Sequence, residues 1–252
     1  KQIIKKHLEE TSDSIESLDF KLHDFGARGV SSLESAGLGG CAHLVNFKGT
    51  DTLAGIIAAK EFYSEPMAGF SIPAAEHSTI TAWGKEHEEQ AFENMLDKFA
   101  GKDKLVAVVS DSYDLYSAIE HIWGASLKQK VINNGGTIII RPDSGDPIEV
   151  VPNVIQKLMH IFGSHTNSKG YKMLPDFIRV IQGDGVNIKT IEKCLAILKK
   201  MKISTENITF GMGGALLQKV DRDSLKFAMK ANARCDKNNN WHDVSKAPIL
   251  DM

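Results

Sequence analysis

Cysteine is scarce: Cys41, Cys194 and Cys235 are the only three in 252 residues, and no two of them form a CxxC pair. An odd number at such wide spacing argues against a disulfide framework and a zinc knuckle, and a reducing, cytoplasmic setting is the expectation. No apolar run approaches the roughly 20 residues of a membrane span, and residues 1–10 hold no signal-peptide core. Neither sign of charge dominates, with 30 basic against 32 acidic residues for a formal net charge of −2. Nothing in that balance points to a nucleic-acid or membrane surface partner. GxSxG, HExxH, GxGxxG and the P-loop pattern are all absent, which excludes the commonest hydrolase, zincin and nucleotide-loop readings. Proline is sparse at 7 residues, and no low-complexity linker or repeat interrupts the chain. The expectation is one globular domain over 1–252, a segment of a longer chain lacking N- and C-terminal parts.

What is present is a recurrence. Short apolar, β-branched runs at residues 43–47, 69–72, 105–109, 137–140, 177–181 and 207–210 each end in a cluster of Gly, Asp, Ser or His. Such runs without alternation suit parallel strands buried on both faces. Apolar residues at helical spacing predict helices over 51–63, 87–99, 114–123, 148–162, 188–201 and 221–230. About six or seven βα units point to an α/β fold, an irregular and incomplete TIM-like (β/α) barrel, with a doubly wound open sheet as the alternative. Both architectures put chemistry at the C-terminal ends of the strands. Residues 236–240 read as a turn between 231–235 and 241–244, a small antiparallel β element near the C-terminus.

The clusters at those strand ends carry the chemistry. Arg141-Pro142-Asp143-Ser144-Gly145 offers a forked donor for a phosphate or carbonyl and a carboxylate for ribose hydroxyls or Mg²⁺. The same residues also read as a strand-to-helix turn with an Arg–Asp pair and Ser144 as helix cap. Gly183-Asp184-Gly185 lets a ligand approach the backbone closely, or is a tight turn with Asp184 as cap. Gly211-Met212-Gly213-Gly214 offers backbone N–H groups to a phosphate, with Arg222 eight residues beyond Gly214 to add charge. His77 follows a strand among small residues and reads equally as a satisfied structural histidine. Phe25 and Arg28, three apart beside glycines, suit a planar ring and an anion, though Phe25 also fits a plain core. Ser110-Asp111-Ser112-Tyr113-Asp114 reads as a capping run. Taken together, these clusters fall on one face and suit an anionic, sugar-bearing substrate with Mg²⁺.

Over residues 18–230 the chain resembles a known family. The blocks that carry the likeness are 21–32, 42–51, 73–84, 108–113, 138–145, 168–172, 180–185 and 210–219, and they stand in the family's order. On them the chain is similar to the nicotinamide phosphoribosyltransferases, which belong to the type II phosphoribosyltransferases. The resemblance implies phosphoribosyl transfer from phosphoribosyl pyrophosphate to nicotinamide, giving nicotinamide mononucleotide and pyrophosphate, with Mg²⁺ and with ATP as a coupled energy source. It also implies a homodimer with the active site at the interface.

Residue roles follow from the resemblance alone. Phe25 stacks on the base, Asp51 meets the carboxamide, and Ser71, Ile72 and Ser110 line the base tunnel. Arg28 and Arg222 hold phosphate, Gly213 and Gly214 cradle the 5′-phosphate, and Lys230 joins the substrate contacts. Arg141 and Asp143 contact ring and ribose, Gly183 and Asp184 lie on the ribose and Mg²⁺-pyrophosphate side, and Asp114 sits by the interface. His77, Asp143 and Asp184 are the catalytic group, His77 as the residue phosphorylated when ATP is used. No metal ligand set follows. Ala228 replaces a serine found two residues before Lys230 in familiar members. Nicotinate phosphoribosyltransferase is the nearest rival, and Asp51 opposes it because a carboxylate repels nicotinate's own. A phosphosugar barrel enzyme and a non-catalytic fragment or interaction protein retaining the fold are the other readings.

Overall fold

The unbroken apolar runs become one parallel sheet. In the computed structural model, which describes residues 1–218 and 230–246, the strands are β1 Leu22–Asp24, β2 Gly49–Thr50, β3 Leu105–Val109, β4 Thr137–Arg141, β5 His165–Thr166, β6 Lys172–Met173, β7 Ile178–Gln182, β8 Ile208–Met212, β9 Ala233–Cys235 and β10 Trp241–Asp243. A six-stranded sheet runs in the order β2-β1-β8-β7-β4-β3, and every pairing in it is parallel. Val106, Val108, Ile138, Ile140, Ile178 and Val180 are fully buried in it. Crossover helices cover the faces of parallel strands, so these runs need no polar alternation.

The outer strands of that order are not free edges. Thr50 N donates to Phe70 O at 2.9 Å, and Phe70 N to Lys48 O at 2.7 Å. A few residues on, Ala75 N donates to Ala107 O and Ala107 N to Pro73 O, both at 2.9 Å. Residues 70–75 therefore join β2 to β3, and the hydrogen-bonded path returns on itself. These bridges shield the outer strands of the six-stranded order at Gly49 and Ala107. Two small antiparallel pairs, β5–β6 and β9–β10, stand apart from it.

The connecting helices begin where the sequence marks them chemically. Asn187 Oδ1 accepts from Lys189 N and Thr190 N while Thr190 Oγ1 accepts from Asn187 N, a capping box for the helix Ile188–Lys200. That helix buries Ile191, Cys194, Leu195 and Leu198 along one stripe, and each of the three aliphatic side chains is worth about 1.5–3 kcal/mol when removed from water. Pro147 opens the helix Pro147–Phe162, where its missing N–H costs nothing. Asp146, not Ser144, is its cap and accepts from Ile148 N at 2.9 Å.

Other expectations also shift. Residues 43–47 are not a strand: the helix Leu33–Leu44 runs through His43, whose Nε2 bonds Gly49 O at 2.9 Å, and sheet pairing begins at Gly49. Residues 69–72 contribute only the bridge at Phe70. The helix expected over 114–123 starts at Leu115 and continues as a π-helix over Ala118–Ser126, in which Trp123 stacks on Phe92 with centroids 4.8 Å apart. The helix expected over 221–230 lies outside the described residues except at Lys230. β1 and the helices Gln2–Thr11 and Leu33–Leu44 have no counterpart in the pattern of apolar runs.

The two ends of the sheet differ in chemistry. At the N-terminal ends the helix Gln2–Thr11 buries Ile4 and Leu8. Hydroxyl pairs tie its end down, Thr11 to Thr205 and Ser12 to Ser204, each at 2.8 Å. Buried Lys21 donates to Glu206 O at 2.7 Å and reaches its carboxylate at 3.2 Å. These polar groups satisfy one another. The opposite end is where polar groups are left facing a cavity.

Candidate active site

The loops leaving β1, β2, β4, β7 and β8 open onto one cavity of about 470 Å³, whose wall includes Phe25, Arg28, Asp51, Glu76, Arg141, Asp184 and the backbone at Gly213–Gly214. Strand ends that converge on one ring turn widely spaced residues into neighbours.

Phe25 gives the cavity a flat aromatic face. Phe25 N donates to Met212 O at 2.9 Å, which lays the Phe25 ring across Gly211. A Cβ at Gly211 would stand 1.9 Å from Phe25 Cε2, so only glycine admits the ring. The Arg141 guanidinium lies 5.3 Å from the Phe25 centroid. Asp143 grips Arg141 in a fork, Nε to Oδ1 at 3.2 Å and Nη2 to Oδ2 at 2.9 Å, and both side chains are buried. Gly183 clears space for that fork, because a Cβ there would meet Asp143 Oδ1 at 2.5 Å. Burial disfavours the Arg141 charge, but Asp143 and Glu76 more than offset it and keep the guanidinium protonated.

Asp51 lines the same cavity. Its Oδ1 accepts from His23 Nε2 at 3.0 Å and from Ser71 Oγ at 2.5 Å. Burial alone would raise its pKa; the donors His23 and Ser71, with the charge of Arg141, bring it below the ordinary carboxylate value. Asp51 is therefore an ionised acceptor at neutral pH.

A relay of charged groups runs inward from the wall. Arg28 Nη1 reaches Glu76 Oε2 at 3.3 Å, and Glu76 Oε1 lies 3.3 Å from His77 Nδ1. His77 Nε2 bonds Asp111 Oδ1 at 2.7 Å, and Asp143 N donates to Asp111 Oδ2 at 3.2 Å. Burial would depress His77, but Asp111 and Glu76 outweigh it and raise the imidazole above its usual value. The bond from His77, aided by Arg141 and Arg28, holds Glu76 far below the ordinary range despite burial.

The lining also holds groups that suit an anion. Arg28 is exposed to it, and Gly213 and Gly214 present backbone beside it. The Asp184 carboxylate is exposed on the same wall, in a loop pinned where Gln182 Nε2 donates to Asp184 O at 2.8 Å.

Most of the expected residues meet here. Phe25, Arg28, Asp51, Arg141, Gly183, Asp184, Gly213 and Gly214 line the cavity directly. Ser71, Asp143 and His77 stand behind it, touching Asp51, Arg141 and Glu76 respectively. Ile72, half-buried beside Ser71, is not on the lining, nor is exposed Lys230. Ser110 is fully buried, donating to Val108 O and accepting from Trp123 Nε1, both at 3.0 Å. Asp114 caps the turn at Leu115 by accepting from Ser117 N at 2.9 Å, as the capping alternative had it. Arg222 and Ala228 lie outside the described residues. Glu76, His23 and Asp111 are the residues that pattern alone passes over; their only signal is adjacency to His77, Phe25 and Ser110.

Comparison with known proteins places this geometry. Residues 20–252 match the family model described as the nicotinate phosphoribosyltransferase (NAPRTase) family. A protein of Xanthomonas campestris pv. campestris named nicotinamide phosphoribosyltransferase is 55% identical over 254 residues, covering 100% of this chain and 54% of that protein. One of the same name from Mycoplasma genitalium is 37% identical over 264 residues, covering 100% of this chain and 56% of its own. Another so named from Acinetobacter baylyi is 29% identical over 251 residues, covering 92% and 49%. The chain thus spans about half the length of these relatives.

Proposed function

We propose that this chain, which belongs to the nicotinate phosphoribosyltransferase family, carries the catalytic centre of an enzyme that transfers phosphoribose from phosphoribosyl pyrophosphate to nicotinamide. The observation that carries the reading is the cavity's mixed lining: Phe25, Asp51 and Arg141, which suit an amide-bearing ring, together with Arg28, Asp184, Gly213 and Gly214, which suit an anion. Relatives that cover the whole chain bear the name of that activity.

In this reaction the pyridine nitrogen attacks the ribose anomeric carbon with its own lone pair as the bond to pyrophosphate breaks. Positive charge develops on the sugar and negative charge on the leaving group. Phe25 orients the base, and the ionised Asp51 accepts from a carboxamide NH₂ but repels the carboxylate of nicotinate, which selects the amide. The Arg141–Asp143 fork fixes a buried guanidinium over the ring. Arg28 meets the growing charge on pyrophosphate, and the Gly213–Gly214 backbone receives the 5′-phosphate. Asp184 fits the role of single carboxylate anchor for Mg²⁺ carried in on pyrophosphate, since Mg²⁺ binds through one or two carboxylates plus substrate phosphates. Among the described residues no cluster of three or more metal-ligating side chains exists. His77, raised by its two carboxylates and within reach of Arg28 through Glu76, is the residue to which ATP coupling belongs.

The closed parallel path supports an irregular TIM-like barrel as the fold of this part of the enzyme. A homodimer fits the outer face of the helices Leu33–Leu44 and Leu53–Tyr63, where Leu33, Leu38, Leu53, Ile57 and Phe62 are exposed. No described helix is long and apolar enough to cross a membrane, and three free cysteines accord with the cytoplasm.

The test is direct: the full-length protein, labelled nicotinamide, phosphoribosyl pyrophosphate and Mg²⁺ are incubated and the mononucleotide is sought. Absence of the mononucleotide refutes the reading. Adding ATP, and repeating with His77→Ala, separates the coupling role: ATP hydrolysis is lost while basal synthesis persists.

A further inference from the structure

One side chain behind the ring-binding residues takes no step in the chemistry above. His23 is the middle residue of β1, which pairs it with Gly49 of β2. A Cβ at Gly49 would stand 2.6 Å from His23 Nδ1 and 3.2 Å from its Cγ, so the imidazole lies flat against bare backbone. On another side the Phe25 ring is 5.1 Å away, centroid to centroid, at 47°. With its ring confined between these walls, the side chain is largely buried and presents Nε2 to Asp51 Oδ1 at 3.0 Å. A carboxylate has no hydrogen to give, so Nε2 carries the proton.

Asp51 Oδ1 is thereby doubly engaged, by His23 and by Ser71. Among the described residues no side chain donates to Oδ2, and Asp51 is on the cavity wall. One oxygen is held by the protein and the other is left to a ligand. A carboxylate free to rotate would offer either oxygen in many directions; one fixed at Oδ1 offers Oδ2 in one.

We propose that His23 is a positioning residue for base specificity: it locks the Asp51 carboxylate so that Oδ2 accepts from the exocyclic amide of a base stacked on Phe25. This rests on the proposed function. The inference assigns to His23 a part of the selectivity for amide over acid that Asp51 alone does not supply. Ser71, being exposed and on a mobile hydroxyl rotor, holds one bond; His23, with its ring confined, sets direction.

The experiment compares His23→Ala, His23→Gln and Asp51→Asn in the full-length protein, with kcat and KM for nicotinamide, nicotinate and phosphoribosyl pyrophosphate. Loss of one charge-assisted hydrogen bond corresponds to roughly ten- to a hundredfold. His23→Ala raises KM for nicotinamide by about tenfold or more, while kcat and the KM for phosphoribosyl pyrophosphate change far less. The preference for nicotinamide over nicotinate falls in parallel. Glutamine at this position, whose amide N–H reaches about as far, restores most of both. In an Asp51→Asn background the histidine change adds little, because the two act as one unit. Unchanged base selectivity in His23→Ala, no rescue by His23→Gln, or full additivity with Asp51→Asn each overturns the inference. Failure of the parent reading looks different: the unmodified protein then converts neither base, and both fall together.

Discussion

Gly211 is where the smallest perturbation should have the most local consequence. Replacing it with alanine places a Cβ 1.9 Å from Cε2 of Phe25 and 2.4 Å from Cδ2. Ordinary carbon contacts begin near 3.4 Å, so the ring must retreat by about 1.5 Å. Its backbone cannot follow, because Phe25 N is bonded to Met212 O at 2.9 Å. Rotation of the side chain is what remains, and it breaks the 5.3 Å stacking with Arg141 and tilts the surface on which the base lies. Overpacking of this kind costs about 1–3 kcal/mol, a fall in Tm of roughly 3–10 °C for a domain of this size. Misplacing a ring-positioning surface by about 1 Å costs up to roughly a hundredfold in rate. The two effects are separable. Adding Phe25→Ala to Gly211→Ala removes the clash and recovers most of the Tm, yet activity stays low because the stacking partner is gone. Differential scanning fluorimetry with steady-state kinetics for both substrates reads each part. A Gly211→Ala protein with an unchanged nicotinamide KM would refute the placement of Phe25 at the base.

Other outcomes follow from the charged groups. Asp51→Asn should bring the specificity constants for nicotinamide and nicotinate together, since the repelling charge is gone; equal constants in the unmodified protein would remove the argument. His77 has a folded pKa raised above 6.5 by Asp111 and Glu76 despite burial, so its contribution to stability is complete below pH 6.5 and is lost as pH rises through the folded value. Asp111→Asn should lower the imidazole titration seen by NMR and flatten that pH dependence; an unmoved titration sinks the assignment. Burial, reinforced by Asp114, pushes Glu88 up to about 7, so folding loses stability as pH rises from about 4.5 to about 7. Glu88→Gln should therefore be more stable than the parent at pH 8 by about 1–2 kcal/mol, allowing for partial solvent screening, with the gain shrinking toward pH 4. A pH-independent difference contradicts it. Burial, with Asp146 nearby, holds the Cys194 thiol up to about 12, so a thiol reagent at pH 8 should label exposed Cys235 and spare Cys194 in the folded protein; equal labelling counts against its burial.

What the sequence determined by itself is what local patterns encode. The largely buried strands β3, β4, β7 and β8 were legible within one or two residues, because an apolar run without alternation has few other ways to be buried. Arg141, Asp143, Asp184 and Gly213–Gly214 were legible for the same reason: polar residues that end such runs must emerge together at one end of the sheet. β1 and β2 were not, because three- and two-residue strands carry too little periodicity to register, and His43–Phe47 looked like a strand while its first residues completed a helix. Proximity across the chain was decided only by tertiary structure. The closing of β2 to β3 through residues 70–75 brings Glu76 and His77 to Asp111, and the β1–β2 register brings His23 to Asp51. Ser110 shows the converse, since its neighbours Asp111 and Tyr113 gave no hint that its hydroxyl is consumed by Trp123. Hydrogen-bond partners dozens of residues apart leave no trace in spacing. They exist because backbone pairing in the closed sheet fixes which strand ends stand side by side, and only then do charge and distance settle which groups hold a proton.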